Sequence, residues 1–175
     1  MNEHNAVVPE PLDSAHDEPA AHDHNQCVQG ALTLAAQLCQ QRGVQLTAIR
    51  QQILRLIWDS HKAVKAYDLL DRLKPLQAAA KPVTIYRALD FLTEQGLVHR
   101  VESLNAFIGC SCPDLQHEQL LLICKQCNEV EERAAKQVMQ ALVQEIKSAQ
   151  FAVHSKAIEI HGICQKCTLL NADKP

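Results

Sequence analysis

The sequence predicts an α+β protein in which a helical first half precedes a smaller α/β second half. Apolar residues recur with the helical period in four segments between residues 28 and 96. Two short alternating segments follow at 97–101 and 107–110, and a hairpin directly after helices is typical of a winged helix-turn-helix. Beyond Pro113 the pattern changes to short strands around one helix. We therefore expect an N-terminal winged helix-turn-helix followed by a small α/β dimerisation domain.

The four helices of the first half carry start and stop signals. Ser, Thr, Asp and Asn favour helix N-caps, whereas Gly and Pro favour helix ends. The helices are predicted at 28–42 with Gly43 as C-cap, from the N-cap Thr47 onward, at 66–74 before Pro75, and from the N-cap Thr84 to Gly96. In the last of these, apolar residues repeat at i, i+3, i+4 and i+7, which predicts one buried face.

The second half is predicted to hold few and short strands. Its elements are strands at 119–124, 129–133 and 154–162 and a helix from Ala134 to about Ser148, with Val138, Leu142 and Ile146 inward. Such strands leave edges and one face exposed unless another chain covers them, so we expect a homodimer. The predicted domains are a disordered tail at 1–26, a winged-helix domain at 27–110, a hinge at 111–118 and the α/β domain at 119–175.

Length and composition limit the size of the hydrophobic core and indicate the cellular compartment. With 175 residues, 47% of them hydrophobic, the chain can bury one moderate core or two small ones. No apolar run approaches the roughly 20 residues that span a bilayer, and the N-terminus lacks the basic and apolar regions of a signal peptide. We therefore expect a cytoplasmic protein without a membrane partner. Because thiols stay reduced there, the eight cysteines indicate metal ligands or redox thiols before disulfides.

Charge is distributed unevenly, although the net charge is only −3. Residues 1–26 contain six acidic side chains, four histidines and no Lys or Arg, as expected for a disordered acidic tail. Residues 42–103 hold ten Lys or Arg against six Asp or Glu, a local charge of +4. This excess is compatible with nucleic acid as a partner of the first folded half, but it is weak evidence alone.

Four cysteines form two Cys-x-x-Cys pairs that are 36 residues apart: Cys124, Cys127, Cys164 and Cys167. Each pair places two thiolates at adjacent corners of a tetrahedron, and two pairs complete a zinc site with four thiolate ligands. A redox role needs only one pair, usually at a helix N-terminus, whereas both pairs are expected at strand ends here. A site saturated by four thiolates leaves no position for a substrate, so it predicts a structural zinc.

Any sensing site must use other ligands. The remaining candidates are His99, Cys110, Cys112, His117, Glu132, His154 and His161. Among them, His99, Cys110, His117 and Glu132 could form a mixed tetrahedral site at the joint between the two halves. Spacing alone leaves this set open, because a single His or Cys on a strand more often packs in the core or faces solvent.

The segments "LTAIRQQIL", "AYDLLDRL", "KPVTIYRALDFLTEQGLVHRVES", "ICKQCNEVEE" and "HGICQKC" resemble the ferric uptake regulator family, most closely its zinc-responsive branch. The similarity runs from about Cys27 to Thr168. It implies a winged-helix DNA-binding domain, a dimerisation domain and metal-dependent repression of metal-uptake genes. It further implies two zinc ions per chain, a structural one at the two Cys-x-x-Cys pairs and a regulatory one at His99, Cys110, His117 and Glu132. Cys112 is an alternative thiolate, and Ala48 stands where members often have Pro.

The fourth helix is the expected reader of double-stranded operator DNA, because its apolar stripe leaves Tyr86 and Arg87 on the outer face. Arg50, Lys65 and Lys81 are lesser candidates for contacts with the DNA backbone. Other interpretations are a sensor of iron, manganese or peroxide within the same family, a thiol-disulfide oxidoreductase, and a zinc storage protein. The sequence contains no recognisable motif of another enzyme class and points to no small-molecule substrate besides the metal.

Overall fold

The computed structural model describes residues 24–60, 62–113, 119–152 and 157–172. The helices are α1 His24–Gln41, α2 Ala48–Trp58, α3 Ala66–Leu73, α4 Pro82–Glu94, α5 Lys136–Ser148 and α6 Gln165–Ala172. The strands are β1 Val98–Val101, β2 Ala106–Gly109, β3 Gln119–Cys124, β4 Val130–Ala134 and β5 Ala157–Gly162. A 3-10 turn, Glu102–Leu104, lies between β1 and β2. This is the predicted α+β arrangement.

The first four helices bury one apolar core. Helix α2 packs against α1, α3 and α4. The largest fully buried side chains of this core are Ile53, Leu54, Ile57, Leu69, Leu73, Ile85, Leu89 and Leu92. Their spacing within each helix is the helical period that the sequence predicted, so burial of apolar area stabilises all four elements together.

In the first half, the helix ends agree with the prediction to within one residue except at two starts. Gly43 and Gly96 follow α1 and α4 with positive φ values of 66° and 67°, a conformation that glycine adopts without a Cβ penalty. However, α1 begins at His24 and not at Val28. Helix α4 begins with Pro82, which has no N–H to satisfy at the first helical position, so Lys81 and not Thr84 is the N-cap.

Strands β1 and β2 form the predicted hairpin. They pair antiparallel from Val98 opposite Gly109 to Val101 opposite Ala106. The 3-10 turn between them ends at Asn105, which has a left-handed φ of 45°. We call β1, the 3-10 turn and β2 together the wing. A bridge from Val64 to Phe107 ties the wing to the loop before α3.

The second half is a three-stranded sheet in the order β4-β3-β5. The central strand β3 is antiparallel to β4 and parallel to β5, and α5 provides the crossover between β4 and β5. The prediction that Val138 points inward is wrong, since it is 51% exposed and Met139 is buried instead. Leu142, Val143 and Ile146 are partly buried with Met139, so the true stripe starts one residue later than predicted.

Helix α6 was not predicted. Its sequence "QKCTLLNA" has no apolar stripe of helical period, so periodicity could not reveal it. Along the described ranges, no helix is long and apolar enough to cross a membrane.

An apolar cluster joins the two halves. Val101 and Ile108 of the wing are buried together with Leu121 and Ile123 of β3. The wing therefore lies on the sheet of the second half. A site at this contact can draw its side chains from both halves.

Candidate metal centres and nucleic-acid interface

Cys124, Cys127, Cys164 and Cys167 come together at one end of the sheet, and we call them the four-cysteine cluster. Their Sγ atoms lie within 4.8 Å of one another. The parallel register that pairs Cys124 with Gly162 brings the ends of β3 and β5 side by side. The four sulfur atoms therefore converge on one point, which is the arrangement that a tetrahedral metal site with four thiolate ligands requires.

The backbone around this cluster also points toward the sulfur atoms. The N–H of Cys164 donates to Sγ of Cys124 at 3.3 Å, and Sγ of Cys127 lies 3.7 Å from Sγ of Cys164. Hydrogen bonds from the backbone of Cys127, then of Cys164, lower the pKa of Cys124 to about 6, whereas burial raises the pKa of Cys167 to about 12. The thiol of Cys124 is thus readily ionised, whereas that of Cys167 would have to lose its proton on metal binding.

The expectation that both Cys-x-x-Cys pairs lie at strand ends is wrong for the second pair. Cys164 directly precedes α6 and Cys167 lies in its first turn. The missed helix is the reason, because without it the pair is assigned to the end of β5. A helix N-terminus is the setting that favours redox thiols, but a redox pair does not require the other two sulfur atoms beside it.

The second cluster contains a nitrogen, a sulfur and a carboxylate ligand, and we call it the mixed cluster: His99, Cys110 and Glu132. The candidate ligand atoms lie within 4.8 Å of one another. Nε2 of His99 lies 2.8 Å from Oε1 of Glu132, which in turn lies 4.0 Å from Sγ of Cys110. The N–H of Ser111 donates to Oε2 of Glu132 at 2.9 Å. Three of the four residues predicted for the regulatory site are therefore adjacent, and His117 lies outside the described residues.

The mixed cluster is buried and belongs to both halves of the chain. The side chains of His99 and Glu132 are only 5% and 7% exposed, and Cys110 is buried as well. His99 lies on β1 and Cys110 follows β2, where its N–H donates to the carbonyl of Leu97. Glu132 lies on β4 of the sheet. Cys112 is exposed, so burial favours Cys110 as the thiolate ligand.

The local sequence does not reveal how the residues next to Cys110 pack. A cavity of about 410 Å³ lies between this part of the chain and α1, and Trp58 and Pro113 are among its lining residues. A Cβ on Gly109 would lie 2.3 Å from the indole of Trp58. Any larger residue at this position, directly before a cluster residue, would therefore force the Trp58 indole to move.

The outer face of α4 carries the predicted DNA contacts. Tyr86 is 45% exposed, and Arg87 is exposed while its neighbour Ala88 is buried. Lys65 and Lys81 are exposed at the N-caps of α3 and α4. These four side chains are available to a partner.

Arg50 differs from the other candidates because it is engaged within the protein. Its guanidinium lies 3.5 Å from the centre of the Phe91 ring, and its Nη1 donates to the carbonyl of Gln45. It stabilises the start of α2, and its contact with DNA stays a prediction. Tyr67 on α3 is 67% exposed, so its ring is also available to a partner.

Known proteins are similar to this chain in sequence and in fold. The family profile described as the Ferric uptake regulator family matches residues 41–167. The zinc uptake regulation protein of Escherichia coli is 41% identical over 145 residues, which cover 82% of this chain and 85% of that protein. The peroxide-responsive repressor PerR of Staphylococcus aureus is 29% identical over 130 residues, covering 73% and 84%.

Among solved structures, two are similar to most of the chain. A structure described as a zinc uptake regulator complexed with zinc and DNA has a TM-score of 0.80 at 41% identity and covers 83% of this chain and 97% of that one. A structure of holo XcZur has a TM-score of 0.74 at 40% identity, covering 80% and 98%.

Proposed function

Because this chain belongs to the ferric uptake regulator family, we propose that it is a zinc-dependent transcriptional repressor. In this proposal it binds operator DNA as a dimer when zinc is replete and represses zinc-uptake genes in the cytoplasm. The observation that carries the proposal is the mixed cluster, which is buried, is built from both halves and contains a thiol. The zinc uptake regulators that resemble the chain support the same function. We infer a regulator and not an enzyme.

The proposal assigns two zinc ions to each chain. Four convergent sulfur atoms suit a structural zinc, which supplies folding free energy to the second half when it is bound. His99, Cys110 and Glu132, with His117 as the expected fourth ligand, suit a regulatory zinc. A thiolate ligand favours zinc, whereas imidazole suits zinc and iron alike and oxygen-rich sets favour manganese. The thiol of Cys110 thus supports the zinc-responsive branch over the iron and manganese sensors.

The position of the mixed cluster indicates how its residues couple metal to DNA. His99 and Cys110 belong to the wing and its end, whereas Glu132 belongs to the sheet of the second half. A ligand set drawn from both halves is complete in only one relative orientation of the halves. Two recognition helices in a dimer match two half-sites only at one separation, so this orientation selects the DNA-binding state. Typical coupling of about 1–3 kcal/mol changes operator affinity by roughly 5- to 150-fold.

The second half offers the surface expected for dimerisation. Strand β5 pairs with β3 on one side, and no described strand pairs with its other edge. Large apolar side chains are also exposed on this half: Val138, Phe151, Ile160, Ile163, Leu169 and Leu170. A second copy of the chain that covers this edge and these side chains would remove both from water.

The deciding experiment measures operator binding at buffered free zinc while bound zinc per chain is counted. We expect affinity to rise as the stoichiometry moves from one zinc toward two. Cys110→Ser should keep a folded dimer with one zinc and lose the response, whereas the exposed Cys112→Ser is the matched control and should behave as wild type. A full zinc response in Cys110→Ser would overturn the ligand assignment, and a wild type with constant affinity at every zinc level would overturn the function.

A further inference from the structure

The wing contacts the second half at both ends of β1. Near the start of this strand, His99 contacts Glu132. Directly after its end, the 3-10 turn meets Glu159 of β5. Oε1 of Glu159 accepts the N–H of Glu102 at 2.6 Å, and Oε2 accepts the N–H of Ser103 at 3.1 Å. We call this second contact the Glu159 cap.

A carboxylate is well suited to this position. The first N–H groups of a helical turn have no acceptor within the turn, so two carboxylate oxygens satisfy two donors that would otherwise need water. Hydrogen bonds to an ionised acceptor are also roughly twice as strong as neutral ones. Burial alone would raise the pKa of Glu159, but the Ser103 hydroxyl and the two N–H groups outweigh it and hold the pKa below its usual value. The cap is therefore anionic at neutral pH.

The register of the sheet links the cap to the mixed cluster. Leu121 of β3 lies opposite Glu132 on one side and opposite Glu159 on the other. Directly opposed residues project from the same face, so these three form one row with the two carboxylates about 10 Å apart, two strand spacings. Leu121 is fully buried in the same cluster as Val101 and Ile108 of the wing. The row thus places an apolar contact at its centre and a carboxylate at each end, all facing the wing.

We propose that Glu159 is a positioning residue for zinc regulation, a role that rests on the proposed function and deepens it. Its cap holds one end of β1 on the sheet, which orients His99 and Cys110 at the other end toward Glu132. Without the cap, the wing can pivot on the apolar contact at Leu121, and the ligands from the two halves meet less often. Loss of the cap should therefore weaken operator binding and zinc binding at the mixed cluster together, because coupling between two ligands is reciprocal.

The test compares Glu159→Ala and Glu159→Gln with the full-length wild type, and Glu131→Gln is the matched control. Glu131 lies on β4 opposite Leu122, hence on the other face, and pairs with the exposed Arg133 at 2.9 Å. Amide exchange at Glu102 and Ser103 reports the cap directly. Operator affinity at saturating zinc and the free zinc at half-occupancy of the second zinc report the coupling, and small-angle scattering reports how far the halves separate.

We expect Glu159→Ala to accelerate exchange at both amides and to increase the particle size in scattering. It should also weaken operator binding about tenfold and raise the free zinc concentration at half-occupancy several-fold. Glu159→Gln should fall between, because an amide oxygen still accepts one bond, and Glu131→Gln should match wild type. Faster exchange with unchanged operator and zinc binding would overturn the proposal and leave the cap a purely structural contact. If the operator affinity of wild type does not change with zinc, the proposed function fails independently of Glu159. In that case, an unchanged particle size in Glu159→Ala would overturn the positioning role as well.

Discussion

Replacement of Glu132 by glutamine tests the mixed cluster with and without metal. The carboxylate contacts His99 and accepts a hydrogen bond from the Ser111 N–H, and the side chains of both His99 and Glu132 are buried. Glutamine keeps the shape of the side chain but loses its charge. A hydrogen bond to a charged group contributes about 1.5–3 kcal/mol and a neutral one about 0.5–1.5 kcal/mol, so each of two bonds loses about 1 kcal/mol.

The two bonds together predict a loss of about 2 kcal/mol in the free energy of unfolding, which can be measured directly. For a chain of 150–250 residues, each kcal/mol shifts Tm by roughly 2–4 °C, so Glu132→Gln should melt about 4–8 °C below wild type in a mild chelator that empties the mixed cluster but leaves zinc on the four-cysteine cluster. With zinc, the same variant should lose the ligand from the second half and with it the roughly 5- to 150-fold increase in operator affinity. Glu131→Gln, on the exposed face of the same strand, should change neither quantity.

Two results would refute this reasoning. A lower Tm combined with a normal zinc response would mean that Glu132 stabilises the joint but does not bind the regulatory metal. An unchanged Tm in chelator would mean that the hydrogen bonds of the carboxylate do not stabilise the metal-free protein, and the magnitude above would be wrong.

Four further outcomes are expected. Arg87→Ala should weaken operator binding with zinc content and dimerisation intact, whereas Arg55→Ala, at an exposed position of α2, should bind as wild type in a gel-shift assay. Gly109→Ala should push the Trp58 indole aside and lower Tm by several degrees, which thermal denaturation followed by tryptophan fluorescence will show. With zinc kept on the four-cysteine cluster and removed from the mixed cluster, the stability advantage of wild type over Glu159→Gln should persist above the ordinary pKa of 4.5 and disappear as the pH falls through the lower folded-state pKa of Glu159, as measured by urea unfolding across pH. Stripping metal from the four-cysteine cluster should unfold the second half before the first, and amide exchange that stays slow in β3 after zinc removal would contradict this.

Features that depend on near neighbours in the chain were predictable from the sequence. The helical period identified the four helices of the first half, and Gly43 and Gly96 marked two of their ends. The two Cys-x-x-Cys pairs indicated a shared site because each pair presents two sulfur atoms within one turn. Resemblance to the family then selected the ligands of the mixed cluster, three of which are adjacent in the structure.

Predictions failed where the local pattern was ambiguous or weak. Val138 and Met139 are both apolar neighbours on α5, and only the packing of the helix on the sheet decides which of them is buried. Helix α6 lacks an apolar stripe, so its first turn around Cys167 was assigned to a strand end. The contact of Arg50 with the Phe91 ring was not foreseen, because it joins residues on two different helices.

The sequence by itself determined which residue types are available and in what local order: four amphipathic helices, a hairpin, and thiol and imidazole ligands in suitable spacings. Only the tertiary structure decided which of them meet. Burial distinguished Cys110 as the candidate ligand from the exposed Cys112, and the close approach of the Trp58 indole showed why position 109 is a glycine. Strand register placed Glu132 and Glu159 on either side of Leu121. Such contacts join residues far apart in the chain, and no local pattern encodes them because they arise when separate elements bury their apolar faces against one another.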